Sequence, residues 1–174
     1  FTPLPRRAQL APWQGVAAGD FDGDGRADLV AAQNSRAPVP SIGRFEGGLG
    51  VMLEGDGEGG FRPVEAARSG WVVPGDARAV VVIDLDHDHA PDLVVSRNEA
   101  PFLAFRNQPA TGRRFLSLRL QGKGGNPQGV GACLTVTGAD GRLSAIEVYA
   151  GSGGPGQSTT TISIGYVEGQ PPRH

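Results

Sequence analysis

Nine residues, Asp20-Phe21-Asp22-Gly23-Asp24-Gly25-Arg26-Ala27-Asp28, set four carboxylates on alternating positions with glycines between them. Acids this crowded repel one another unless a cation sits among them. Carboxylates at loop positions 1, 3, 5 and 9, with a backbone carbonyl at position 7, form the hard, all-oxygen cage that Ca2+ prefers. The expected ligands are Asp20, Asp22, Asp24, the carbonyl of Arg26, and Asp28. Gly25 stands at position 6, where the loop turns sharply and φ goes positive. A plain Asp/Gly turn is the competing reading, but it has no need of four acids in register.

The pattern recurs 64 residues later as Asp84-Leu85-Asp86-His87-Asp88-His89-Ala90-Pro91-Asp92. Its ligands would be Asp84, Asp86, Asp88, the carbonyl of Ala90, and Asp92. Both glycines have become histidines. His89 at position 6 would have to adopt a left-handed conformation, at about 1–2 kcal/mol relative to Gly. Calcium is therefore expected at two sites, the second weaker. A zinc site built on His87 and His89 is the alternative. Alternation along an extended loop would point those rings away from the acids, which favours solvated histidines.

The elements around these loops decide what kind of loop they are. An EF-hand needs a bidentate Glu at position 12 and a helix on each side. Position 12 is Ala31 in one copy and Val95 in the other, and each loop runs into a short apolar, β-branched stretch, Leu29–Ala32 or Leu93–Val95. These read as buried strands. With its Gly15-Val16-Ala17-Ala18-Gly19 lead-in, the first loop resembles the FG-GAP/VCBS repeat of integrin-type β-propellers. That resemblance implies calcium loops joining strands within blades.

Composition agrees with an all-β chain. Glycine (28 residues) and proline (14) punctuate short apolar runs, while hydrophobic residues still make up 39% of the 174, enough for a moderate core. No amphipathic helix of useful length is legible. A net charge of −2 without a basic stripe argues against nucleic acid. No apolar run reaches the eighteen residues of a membrane span. The lone Cys133 cannot form an intramolecular disulfide, and its strand-like setting predicts a buried small side chain. The chain has neither an initiator Met nor a signal peptide, so it reads as cut from something longer. Calcium sites of this kind are normally filled outside the cell, which predicts a secreted, periplasmic or cell-surface protein.

Strands are expected at Leu29–Gln33, Leu49–Glu54, Phe61–Glu65, Ala79–Ile83 and Leu93–Ser96, and at Phe102–Arg106. Ala79–Ile83 reads as a buried central strand, residues 34–48 as an irregular surface insertion, and 55–60 as a hairpin turn. The loop spacing suits a blade-sized unit, but two units do not close a propeller of four to eight. Open edges would be covered by the rest of a longer chain or by other copies through strand addition.

The character of the chain changes near residue 108. Further strands are expected over Arg114–Leu120, Gly129–Val136, Leu143–Ala150 and Ser158–Ile164, with Asp140-Gly141 as a hairpin turn. The Arg106-Asn107-Gln108 exit, the Leu116–Gly122 strand, the Asn126–Ala132 turn and the 151–158 segment resemble the ASPIC/UnbV domain that commonly follows FG-GAP/VCBS repeats in secreted proteins. The organisation expected is thus two calcium-loop β repeats over 1–108, a partial propeller, and a sandwich-like antiparallel β domain over 109–174. Where that family shows a Phe-Gly-Leu-Gly element, this chain has Ile164-Gly165-Tyr166.

Catalysis finds little support. No Ser/His/Asp set is legible, the paired carboxylates belong to the cation pattern, and the glycine-rich segments at 122–126 and 151–156 lack a P-loop's Gly-Lys-Ser/Thr and following helix. The expectation is a non-enzymatic, calcium-stabilised module for adhesion, extracellular recognition or assembly, with a protein or glycan ligand. The alternative is a carbohydrate-binding module, or an accessory domain of a larger extracellular enzyme, stacking sugars on Trp13 or Trp71.

Overall fold

The computed structural model describes the chain apart from residues 40, 42, 46, 152–154 and 174. Part of the glycine-rich 151–156 segment therefore lies outside the described residues. Strands form where apolar and small residues alternate, and Gly, Asp and Asn clusters reverse the chain between them. After a 3-10 turn at Arg6–Gln9 come β1 (Trp13–Gly19), β2 (Asp28–Gln33), β3 (Ser35–Val39), β4 (Gly43–Phe45), β5 (Val51–Gly55) and β6 (Phe61–Val64). A single helical turn, α1 (Ala66–Ser69), precedes β7 (Ala77–Ile83), β8 (Asp92–Arg97) and β9 (Ala100–Phe105). Then follow β10 (Arg113–Leu118), β11 (Cys133–Thr137), β12 (Leu143–Glu147) and β13 (Ile162–Val167). The protein is all-β, as its composition implies.

Strands β1-β2-β5-β6 form one antiparallel sheet and β7-β8-β9 another. The two acidic loops are the β1–β2 and β7–β8 connections. Their repetition extends beyond the acids. Val16 pairs with Ala31 and Val80 with Val95, each strand pair carrying one irregularity near its start. The N–H of Asn34 donates to Pro12 O, and that of Asn98 to Asp76 O, at the same offset. The turn after β5 is the expected hairpin, closed by the Asp56 N–H donating to Gly60 O. Asp140-Gly141 likewise turns β11 into β12.

One core joins the two sheets: Ala17, Phe21, Val30, Trp71, Val73, Val80, Leu93 and Val95 pack together. Trp71 is 3% exposed, stands 4.7 Å from the Phe105 ring centre, and donates its indole N–H to Ala31 O. A smaller cluster on the other face of β2 holds Ala31, Val51 and Leu53, with Trp13 against it. Both tryptophans are thus spent on packing, and Trp71 offers no sugar platform.

Four expectations need correction. β7 is an edge strand of its sheet, not a central one. Its burial comes from β1, whose Gly15 backs so closely on the Ala79–Val80 backbone that a Cβ there would lie 2.8 Å from the Val80 nitrogen. Further along, Val82 bonds with residues 158 and 159. Residues 34–48, expected to be irregular, contain the β3–β4 hairpin. Asn34 closes its base: the side chain donates to Gly48 O (2.6 Å) and Gly75 O (2.9 Å) and accepts the Gly48 N–H (2.8 Å). Cys133 is exposed rather than buried, because side chains alternate along its strand and Leu134 and Val136 take the inward face. Finally, the last strand is Ile162–Val167, starting well after Ser158, and pairs with β10.

Asn34 is buried at φ 84° with three side-chain hydrogen bonds. Asn34→Ala is expected to cost about 2–4 kcal/mol in urea unfolding, through orphaned backbone groups and a strained φ. Asn34→Gly should recover about 1 kcal/mol of that. Equal losses would assign the whole effect to the hydrogen bonds.

Candidate metal centre

Loop one wraps its backbone around its own acids. Asp20 Oδ1 accepts the N–H groups of Gly23 (2.9 Å) and Asp24 (3.0 Å), and Oδ2 accepts that of Gly25 (2.9 Å). Asp22 and Asp24 each accept the N–H two residues on, from Asp24 and Arg26. Asp28 closes the loop by accepting the Phe21 N–H (2.9 Å) and fixes it to β5 through the Gly55 N–H (3.0 Å). Gly23 and Gly25 both take positive φ, 76° and 83°.

These bonds bring Asp20, Asp22 and Asp28 together, one oxygen of each within 4.8 Å of the others. Asp24 stands outside that trio, with Oδ2 3.3 Å from the Arg26 guanidinium. Asp20 and Asp28 are buried. Burial drives the Asp20 carboxyl up to about 7 from an ordinary 3.8, and Asp28 up to about 6. Burial also raises Asp22, with the Asp24 charge adding to it. The donor set fits a hard divalent cation: clustered carboxylate oxygens that are short of positive charge.

Loop two repeats the scaffold. Asp92 accepts the N–H groups of Leu85 (2.8 Å) and Asn107 (2.7 Å), Asp84 Oδ2 that of His89 (3.2 Å), and Asp88 that of Ala90 (2.9 Å). Here the trio is Asp84, Asp86 and Asp88, and Asp92 lies outside it. Asp84 Oδ1 is shielded from solvent and has no hydrogen-bond partner among the described residues. An orphaned carboxylate oxygen is what a cation would satisfy. Asp86 and Asp88 are exposed, and Asp86 faces Arg106 at 3.3 Å. Arg26 and Ala90, expected to lend carbonyls, hold the turn at position 7 of each loop through their own N–H groups.

His89 takes φ 73°, as its position requires, and His87 takes 63°, so the strain falls on two residues. The rings do not both turn away from the acids: His89 Nδ1 lies 3.9 Å from Asp84 Oδ2. Neither histidine joins the acidic trio, and both are exposed.

Three contributors escaped the sequence. Gly165 of β13 donates its N–H to Asp20 Oδ2 at 2.7 Å, and Arg113 reaches Gly23 O at 3.2 Å. Asn107 ties the loops together, its N–H on Asp92 and its side-chain amide on Phe21 O (2.8 Å) and Pro91 O. Only Asn107 had a signal, its place in the Arg-Asn-Gln exit. It does for Asp92 what Gly55 does for Asp28, but 15 residues on instead of 27, the difference being taken up by the 34–48 segment.

Residues 12–37 match the FG-GAP repeat. The match covers β1, loop one, β2 and the first residues of β3. FG-GAP repeats are generally calcium-binding and are associated with integrin-like extracellular β-propeller modules. No curated protein matches the chain. Among the described residues, no helix is long and apolar enough to cross a membrane.

Two predictions follow from the loops. A carboxyl whose folded pKa is raised stabilises the fold below its unfolded value and loses that contribution as pH rises through the folded value. The ion-free chain should therefore lose stability between about pH 4 and 7, as Asp20 and Asp28 ionise. A bound divalent ion should restore stability increasingly over the same range, so the gap between melting temperatures with and without calcium widens with pH. A gap independent of pH would separate these acids from the ion. At loop two, His87→Gly and His89→Gly should each tighten binding by about 1 kcal/mol, read by calorimetry, because left-handed φ costs an L-residue that much or more.

Proposed function

We propose that this chain is a calcium-stabilised, non-enzymatic β-repeat module of an extracellular protein, serving recognition, adhesion or assembly. The observation that carries the reading is the trio of buried Asp20 and Asp28 with half-buried Asp22, gathered by backbone N–H groups inside the segment that matches the FG-GAP repeat. Among the described residues no Lys or Arg pairs with any of the three within 4 Å. Such a cluster is held together at a cost unless a cation neutralises it.

Asp20, Asp22 and Asp28 hold the ion in loop one, with Asp24 and the Arg26 carbonyl completing the set. Asp84, Asp86 and Asp88 hold the second, weaker ion, with Asp92 and the Ala90 carbonyl beside it. Bound calcium supplies positive charge and fixes the β1–β2 and β7–β8 turns, so its binding energy becomes folding energy. On this reading the clustered carboxylates serve the ion and not catalysis.

The partner surface is supported by the sheets. β5 is covered by β6, but β9, its counterpart, has no strand beyond it among the described residues. Phe102 on β9 is 73% exposed. A neighbouring strand, from a longer form of this chain or another copy, would complete that sheet.

Thermal melts decide the metal reading. Calcium should raise the midpoint by several degrees and magnesium much less, since the cage is flexible and rich in oxygens rather than a tight octahedron. Asp22→Ala should remove most of the gain at loop one and barely alter the chelated chain. A midpoint indifferent to calcium would end the proposal. Light scattering on the same samples reads association through β9.

A further inference from the structure

We infer that ion binding at loop one and docking of the β10–β13 sheet are a single coupled event, transmitted through Asp20. The inference rests on the calcium reading of loop one and adds a part that lies 145 residues downstream of the acid it touches.

Asp20 is the best-anchored carboxylate of the loop. Each oxygen accepts two N–H bonds: Gly23 and Asp24 on Oδ1, Gly25 and Gly165 on Oδ2. Three of these donors belong to the loop itself. The fourth belongs to β13, in its pairing with β10 through Phe115 opposite Gly165. The contact is tight. A Cβ at Gly165 would sit 2.5 Å from Asp20 Oδ2 and directly against the Gly23 backbone. A Cβ at Gly23 would lie 3.2 Å from the Phe115 ring, itself buried. Arg113 adds a hydrogen bond to Gly23 O, and Ser144 of the β11–β12 sheet adds one to Gly25 O. The C-terminal strands are thus seated on the metal loop, not merely attached after it.

Two consequences have the same sign. Docking aims Asp20 and holds its negative charge, as the outer partners of a metal ligand do. Docking also leaves Asp20 only 8% exposed beside Asp22 and Asp28, which concentrates like charge away from water unless an ion is present. Docking therefore favours the ion, and the ion favours docking by the same factor. Among the described residues loop two has no counterpart to Gly165, and Asp84 Oδ1 has no hydrogen-bond partner.

Hydrogen exchange and calorimetry on the full chain test this. In calcium, the amides of Gly165 and its β10 and β13 neighbours should exchange at least about tenfold more slowly than in chelator. Gly165→Ala should weaken binding at loop one by about tenfold or more and leave loop two unchanged. Phe115→Leu, which loosens the packing on Gly23 without changing any charge near the ion, should weaken it less but in the same direction. It also guards against a Gly165→Ala chain that fails to fold. If calcium binds loop one normally while β13 exchange is indifferent to it, and Phe115→Leu binds as the parent does, the coupling is overturned and the calcium reading stands. If Asp20→Asn and the parent show the same heats, calcium does not bind loop one and both fall.

Discussion

Four backbone N–H groups converge on the Asp20 carboxylate, and much of the molecule is arranged so that they can. A buried carboxylate is tolerable only when its lone pairs are met and its charge is shared. Meeting them requires two left-handed glycines in the loop, an antiparallel pair of strands to bring its ends together, and a third strand from the far end of the chain. Asp28 repeats the requirement on a smaller scale, drawing Phe21 and Gly55 toward it. The loop is less a decoration on a β-sheet than the place where three sheets are registered against one another.

The second loop shows what the same scaffold becomes without a cover. Its Asx-type bonds, its strand register and its closing aspartate follow the first at a constant offset. Yet among the described residues no strand corresponding to β13 sits on it, and two of its three clustered acids face solvent. Asn107 is the exception to this independence. With its backbone on Asp92 and its side chain on Phe21 O, it joins the two loops across the sheets.

Much of this was legible from residue types alone. Alternate acids with glycines identified the loops, β-branched runs located β2, β7 and β8, and Asp140-Gly141 located a hairpin, because each is a local rule. What escaped depended on long-range contact. Gly165 looks like any strand glycine until the Gly23 backbone is placed against it. Asn34 carries no mark of being the clamp of a fifteen-residue excursion, and the edge position of β7 is hidden because β1 and residues 158–159 bury it as thoroughly as a neighbouring strand would. Cys133 misled for the opposite reason: alternation lets only one face of the strand pack inward, and Leu134 and Val136 occupy it. The strand–loop–strand of residues 12–37 is the segment most completely written in local sequence, and it is also the segment that matches the FG-GAP repeat.

Trp71 sits at the seam of the two repeats, bonded to β2 through its indole and packed on Phe105 of β9. A side chain shared in this way makes the boundary between the repeats a poor place to cut. Removing either repeat would strip the indole of one wall and open the common core to water, so unfolding should spread across both as one cooperative unit. The same placement makes the indole a native optical reporter. With Trp13 only half-buried against the smaller cluster, a red shift confined to the Trp71 emission would mark the moment at which the repeats part company.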